Sequence, residues 1–179
     1  MTAIVSKHGE LLFIIQADEQ TIELNTFDDC IAAEDPPASN MFYENGWVDM
    51  PDQPSQNHIF NYEARQWFDP RSVEQIKEQK WSEIKSQRDQ LEFGGFEFEG
   101  NIYDSDKVSQ GRILGASIAG VDQVWTLADN TTVNLTAEQL VQLYQALQIH
   151  IAIAHERGRT AREAIMSATT KEDVESITL

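Results

Sequence analysis

The chain has 179 residues, of which 30 are acidic and 13 are Lys or Arg, so its formal net charge is −17. This length suits one domain, or a small domain joined to a medium one, with room for a hydrophobic core. No apolar run approaches the ~18 residues of a transmembrane helix. The strong negative charge repels phosphate backbones and anionic lipid, which argues against nucleic acid and membrane surfaces as partners.

The negative charge is concentrated in the first part of the chain. Residues 1–70 contain 13 acidic residues, and Lys7 and Arg65 are their only Lys or Arg residues. Two interpretations stay open: the charge serves solubility alone, or it attracts a basic partner. The opening residues lack the pattern of a signal peptide, and Cys30 is the only cysteine. We therefore expect synthesis in a reducing cytosol.

Residues 1–70 are predicted to form an acidic, β-rich N-terminal domain or arm. Two β-prone runs, at residues 3–5 and 11–15, flank Gly9 and predict a hairpin. The alternation over residues 21–24 predicts a third strand, and a brief helical signal follows at residues 26–33.

Two more hairpins are predicted in the same region. The first is MFYENGWV at residues 41–48, where an Asn-Gly pair separates two aromatic arms. The second is HIFNYEARQWF at residues 58–68, in which Phe60 and Trp67 are expected to meet across the strands. Proline-containing segments at residues 33–40 and 50–58 predict loops.

Residues 71–179 are predicted to form a helical domain that carries two short β-hairpins. Capping boxes formed by Ser72 with Gln75, and by Thr136 with Gln139, predict the starts of two long helices. The first is expected to end at residues 94–95, and Gly158 to end or bend the second. The sequence therefore predicts an α+β fold: a small antiparallel β-rich region, then this helical domain.

The remaining elements of this domain are shorter. Hairpins are predicted at residues 96–103 and 124–135. Between them a helix is expected to begin at residues 104–106, where carboxylates favour the first turn. Thr170 with Asp173 predicts the cap of a last short helix, which reaches about residue 177.

Small residues recur every four positions in the helix that follows residue 106. Gly111, Gly115 and Ala119 share one side of that helix, and two glycines there reduce helix propensity. We infer that another backbone approaches closely, and Gly111 and Gly115 are therefore interface candidates. Leucine at position 115 is expected to impair folding or docking through overpacking.

Tryptophans provide the other interface candidates. The four tryptophans fall in four different predicted elements, and packing in the core is the default interpretation. Trp47 and Trp67 are the candidates for anchors of a protein interface.

No residue is predicted to be catalytic, to bind a cofactor or to bind a metal. A nucleophile elbow, a P-loop and a dinucleotide-binding glycine motif are all absent from the sequence. Asp104 and Asp106 fit helix capping better than a cation cage, because the EF-hand spacing is missing. His150 and His155 are five residues apart, whereas a helical zinc motif needs four. Cys30 follows two acidic residues and is a poor candidate nucleophile.

Several spaced motifs occur in one order along residues 80–140. They are KW-x-x-IK-x-x-RD, GGF, YDSD, SQ-x-RI-x-GA and WTLADNTTV-x-LTAEQL. This series resembles a domain of uncharacterised biochemical role that recurs in bacteriophage tail fibre, fibre-assembly and baseplate proteins. The resemblance covers residues 70–179. The segment NHIFNYEARQWFDPR at residues 57–71 extends it upstream.

The resemblance implies a component of a phage tail, made in the bacterial cytoplasm and placed in the virion tail. Three functions follow as hypotheses. The first is a structural adaptor in the tail tip, baseplate or fibre-attachment region, present in multiple copies of a symmetric assembly and docked on other tail proteins. The second is a fibre-assembly chaperone that leaves before the virion is complete. An enzyme acting on host envelope sugar is the least favoured, because no spacing identifies a positioned acid.

Overall fold

The chain forms two units, Met1–Arg71 and Ser72–Leu179, in a computed structural model that describes residues 1–179. Strands dominate the first unit, and five small antiparallel sheets are distributed over the two units. Four of the five helices lie in the second unit, together with two hairpins. The predicted α+β fold class is confirmed.

A three-stranded antiparallel sheet forms the start of the first unit. Its central strand is β1 (Thr2–Ser6), which pairs with β2 (Leu11–Ile15) on one edge and with β3 (Cys30–Glu34) on the other. The predicted first hairpin is confirmed. Gly9 has a φ of +88°, and an added Cβ would lie 2.1 Å from the backbone oxygen of Tyr43, so only glycine fits this turn.

Two of the predicted elements in this region are wrong. Residues 21–24 are not a strand but part of helix α1 (Glu19–Asn25), because the Asp18 carboxylate accepts a hydrogen bond from the Thr21 amide at 2.8 Å and caps the helix. This hydrogen bond is the main reason that the pKa of Asp18 lies below its ordinary value. The helical signal at residues 26–33 is also wrong, since β3 occupies its second half. Pairing with the free edge of β1 outweighs the local propensity there.

Both aromatic hairpins are confirmed. The first consists of β4 (Met41–Tyr43) and β5 (Trp47–Asp49), and the second of β6 (Ile59–Asn61) and β7 (Gln66–Phe68). Phe60 and Trp67 meet across the second hairpin with ring centroids 5.3 Å apart, and Phe42 packs on Phe60 at 5.6 Å. These edge-to-face and tilted contacts join the two hairpins through one aromatic cluster.

The second unit contains three long helices, one short helix and two hairpins, as the spacing predicts. Its elements in chain order are α2 (Val73–Phe93), β8 (Phe96–Phe98), β9 (Asn101–Tyr103), α3 (Lys107–Ala119), β10 (Gln123–Thr126), β11 (Thr132–Leu135), α4 (Ala137–Ser167) and α5 (Lys171–Glu175). Both predicted capping boxes are present, and Thr170 caps α5. None of the helices, the 31-residue α4 included, has the length and apolar content to cross a membrane.

The largest hydrophobic core of this unit lies where α3, α4 and the two hairpins meet. One side of α4 supplies three leucines, the first hairpin adds two aromatic residues, and the second hairpin adds two further leucines. The buried members are Phe96, Tyr103, Ile113, Ala116, Leu127, Leu135, Leu140, Leu143 and Leu147. A smaller cluster of Ile84, Ala161 and Ile165 joins α2 to the second half of α4.

Gly158 neither ends nor interrupts α4, which continues to Ser167. Gly158 is buried, and a Cβ built on it would lie 3.2 Å from Cδ of Arg88 on α2. The missing side chain therefore makes room for the aliphatic stem of Arg88. A neighbouring helix does pack closely on a helical glycine in this unit, but at Gly158 and not at Gly111 or Gly115.

Ser105 is fully buried and joins the end of α2 to the residues before α3. Its Oγ donates to the carbonyl of Glu92 at 2.6 Å and accepts from the amide of Gly95 at 2.9 Å. Replacement by alanine removes both hydrogen bonds of this buried hydroxyl, so Ser105→Ala is expected to lower the free energy of unfolding by about 1–3 kcal/mol. Urea unfolding measures this loss.

Ser117 provides a matched control, because its hydroxyl also donates to a backbone carbonyl, that of Leu114 at 2.8 Å, but within one exposed helical turn. Ser117→Ala is expected to change the unfolding free energy by less than about 0.5 kcal/mol. Equal effects of the two substitutions would contradict this role for Ser105.

Candidate docking site

Helix α3 is held in place by caps at both ends. Asp106 is the N-cap, and its carboxylate accepts hydrogen bonds from the amides of Val108 and Ser109 and from the Ser109 hydroxyl. The Ser109 hydroxyl is the largest cause that lowers the pKa of Asp106, followed by the two amides. Gly120 ends the helix with a φ of +68°. Helix capping, as expected for this acidic turn, is therefore confirmed at Asp106.

Only one side of α3 is buried, and the opposite side is apolar and exposed. Ile113 and Ala116 enter the core. At 100° per residue, the exposed apolar positions span an arc of about 140° on the other side of the helix. We call these positions the α3 face: Val108, Gly111, Leu114, Gly115, Ile118 and Ala119.

The exposure of the α3 face is large for aliphatic side chains. Ile118 is 76% exposed and Val108 is 60% exposed. Val121 and Val124, which follow the helix directly, are 56% and 68% exposed. Single exposed aliphatic residues are ordinary, but a contiguous group of them marks an interaction surface.

Gly111 and Gly115 both belong to the α3 face, but no backbone packs on either of them within the chain. A Cβ built at each position meets no atom within 4 Å. The inferred close approach is therefore wrong for the fold itself, and leucine at position 115 has room. What stays a prediction is that these two glycines meet another molecule.

The charge of α3 differs from that of the whole chain. Residues 107–121 contain no acidic residue, although the chain carries a net charge of −17. Lys107 and Arg112 are the two charged residues of this stretch, and the Lys107 ammonium lies 5.6 Å from the centre of the Phe93 ring. The α3 face is thus apolar with a positive rim.

An open groove of about 580 Å³ lies between α3 and β10, beside the α3 face. We call it the α3 groove. Residues of α3 form one wall and five consecutive residues, 123–127, form the other. Its lining residues are Asp104, Ser109, Arg112, Gly115, Ala116, Gln123, Val124, Trp125, Thr126, Leu127 and Asn130.

Three polar side chains at or beside the groove are used in local hydrogen bonds. Ser109 donates to Asp106, Asp122 accepts from the Ala137 amide, and Asp129 accepts from the Thr131 hydroxyl. The side chains that face the groove differ, because no hydrogen bond or ion pair within the chain engages them. They are Asp104, Arg112, Gln123, Trp125, Thr126 and Asn130.

The comparison with protein families matches the stretch that contains α3 and the groove. A family model described as "Domain of unknown function (DUF4376)" matches residues 75–178, more than half of the chain. The chain belongs to the DUF4376 family. No curated protein and no solved structure matches the chain. The α3 face and the α3 groove both lie inside the DUF4376 domain.

The tryptophan candidates, Trp47 and Trp67, lie outside the DUF4376 domain, and both are half-buried. The indole N–H of Trp47 donates to the carbonyl of Glu34, and that of Trp67 to the carbonyl of Pro51, each at 2.8 Å. Both rings therefore have packing roles within the first unit, and an interface role for them stays a prediction.

The histidines of α4 are placed between the helices of the DUF4376 domain. Nε2 of His150 lies 2.8 Å from the carbonyl oxygen of Leu91, and Nε2 of His155 lies 3.1 Å from the carboxylate of Glu92. Both contacts join α4 to the end of α2. No group of three His, Cys, Asp or Glu side chains is placed to hold a metal ion.

Arg112, Gln123 and Asn130 belong to none of the sites predicted from the sequence. These three residues line one groove because β10 folds back beside α3. The spacing of residues along the sequence does not reveal that arrangement. One signal was present in the sequence: the acid-free stretch at residues 107–121 is unusual in a chain with 30 acidic residues. This composition separates α3 from the rest of the surface of the DUF4376 domain.

Proposed function

We propose that the chain is a structural component of a phage tail that docks on other tail proteins. The order of motifs at residues 80–140 supports the phage tail setting through its resemblance to tail fibre, fibre-assembly and baseplate proteins. One of those motifs, SQ-x-RI-x-GA at residues 109–116, lies within α3. The proposed location is the tail tip, the baseplate or the fibre-attachment region, where several copies act within a symmetric assembly.

One observation carries the docking role: the α3 face is apolar, contiguous and exposed. Burial of apolar surface contributes about 25 cal/mol per Å², so covering Ile118, Val108 and Leu114 with a partner stabilises the complex by several kcal/mol. The glycines of the face allow that partner to approach the helix backbone closely. On this proposal the chain acts by contact and catalyses no reaction.

A fibre-assembly chaperone is the second candidate function. The strongly acidic first 70 residues favour it, since a high net charge keeps a protein soluble while it holds an apolar segment of a partner. A chaperone would use the same α3 face. The two functions differ in one respect: a structural component stays in the particle, and a chaperone leaves it.

Mass spectrometry of purified particles of the encoding phage separates the two. We expect peptides from both units of the chain, at a copy number that matches the symmetry of the tail. Detection in infected cells but never in particles would reject the structural role and leave the chaperone. Co-expression with the tail fibre then tests the chaperone, because unchanged fibre solubility would reject it.

A further inference from the structure

We propose that the α3 groove binds an extended segment of a partner protein, which adds to the free edge of β10 as a third strand and places an acidic side chain against Arg112. This inference rests on the docking function proposed above and names the chemistry of the docked segment.

The outer edge of β10 is the first reason. β10 belongs to a two-stranded sheet and pairs only with β11, so its other edge has unpaired backbone groups. Residues 123–127 line the groove without interruption. Side chains of a strand alternate between its two faces, so a face contributes every second residue. All four residues of β10 line the groove, which therefore indicates that the edge of the strand borders it.

The width of the groove is the second reason. The wall opposite β10 contains Gly115 and Ala116, the smallest side chains available, and a Cβ on Gly115 would meet nothing within 4 Å. The volume of about 580 Å³ lies within the range of ~300–1,000 Å³ that ligand sites occupy. A backbone ~4.8 Å from β10 therefore has space beside the helix.

Charge is the third reason. Arg112 forms no ion pair within the chain, although its positive charge helps to lower the pKa of Asp106, and it lines the groove in a protein with an excess of 17 negative charges. A guanidinium binds a carboxylate through two parallel hydrogen bonds, so an acidic side chain of the segment complements it. The amides of Gln123 and Asn130 and the indole N–H of Trp125 can bond the polar groups of the same segment.

A sugar would also use Trp125, the amides and Asp104. A polypeptide is favoured because only an extended chain offers the alternating N–H and C=O groups that the edge of β10 leaves unpaired. Strand addition of this kind derives affinity from main-chain hydrogen bonds and specificity from side chains. Arg112 then supplies the specificity.

A displayed library of random dodecapeptides tests the inference on the full chain. We expect selection to enrich peptides with a β-prone run that contains an acidic residue. Backbone amide shifts in NMR spectra should move at residues 123–127 when such a peptide is added. Gly115→Leu fills the groove and Arg112→Gln removes its charge, so each is expected to weaken binding at least about tenfold, or ~1.4 kcal/mol.

Gln148→Leu is the matched control, because Gln148 is exposed on α4 and neither lines the α3 groove nor belongs to the α3 face. Its peptide affinity is expected to equal that of the original chain, and circular dichroism should show all three variants folded. Failure to enrich peptides, equal binding by Gly115→Leu, or enriched peptides without acidic residues would overturn the inference. Binding to a glycan array that depends on Trp125 would overturn it in favour of a sugar.

Different results would reject the proposed docking function and the proposed strand-addition site. A chain that is present in particles but captures no peptide retains the docking function and loses the strand-addition site. A chain that captures peptides in the groove but is never found in particles retains the site and loses the structural role.

Discussion

Ile118→Asp is expected to prevent the proposed incorporation of the chain into phage tails while leaving its fold intact. Ile118 is 76% exposed on the α3 face, so aspartate is hydrated in the free chain. Once a partner covers the face, the carboxylate loses its water without gaining a cation, which costs several kcal/mol. The amount of variant in purified particles is expected to fall at least about a hundredfold, or ~2.7 kcal/mol. Quantitative mass spectrometry measures it.

Ile149→Asp is the control for that experiment. Ile149 is 61% exposed and lies on α4, outside the α3 face and the α3 groove. Both substitutions replace an exposed isoleucine with aspartate, and we expect normal incorporation of the Ile149→Asp variant. Thermal melts should show that both variants are folded. Equal incorporation of the two variants, or equal loss of both, would contradict docking through the α3 face.

Leu147→Ala is expected to cause the largest loss of stability, about 2–5 kcal/mol. Leu147 is 0% exposed and lies in the core shared by α3, α4 and the hairpins. The truncation leaves a cavity that the surrounding helices fill only partly. Urea unfolding followed by circular dichroism measures the change, with the second unit expected to lose its structure at lower urea concentration.

Ile149→Ala provides the comparison for the core substitution, because it lies on the same helix two residues away with its side chain largely in solvent. It loses little burial, and alanine has the higher helix propensity, so its unfolding free energy is expected to change by less than about 0.5 kcal/mol. A similar loss for both variants would contradict the assigned core, and so would no loss for Leu147→Ala.

The local signals in this sequence predicted elements well. The Ser72 and Thr136 capping boxes mark the starts of α2 and α4 to the residue, because the cap and its partner are three positions apart and need no other part of the chain. The aromatic hairpins were found for the same reason. Asn45 and Gly46 both have positive φ in the first of them, as their residue types favour.

Elements that depend on distant partners were not predicted. β3 is a strand because it pairs with β1, whose residues lie about 28 positions earlier in the chain. Nothing within residues 26–33 reveals that partner. The four-residue alternation at residues 21–24 was too short to outweigh the cap at Asp18. Local propensity decides an element only where tertiary pairing does not compete with it.

The candidate site was predicted only in part. The spacing of Gly111 and Gly115 correctly indicated one side of α3, but spacing does not tell whether that side faces the core or solvent. The opposite side of the helix, with Ile113 and Ala116, enters the core. The α3 groove could not be predicted from residue order, since Arg112 and Asn130 meet in it only through the reversal of the chain after Gly120.

If a partner covers the α3 face in an assembled tail, as we propose, hydroxyl-radical footprinting of the isolated chain and of intact particles will detect it. We expect Val108, Leu114 and Ile118 to be oxidised in the isolated chain and protected in the particle, while Ile149 reacts equally in both. Equal oxidation of Ile118 in the isolated chain and in the particle would contradict the account.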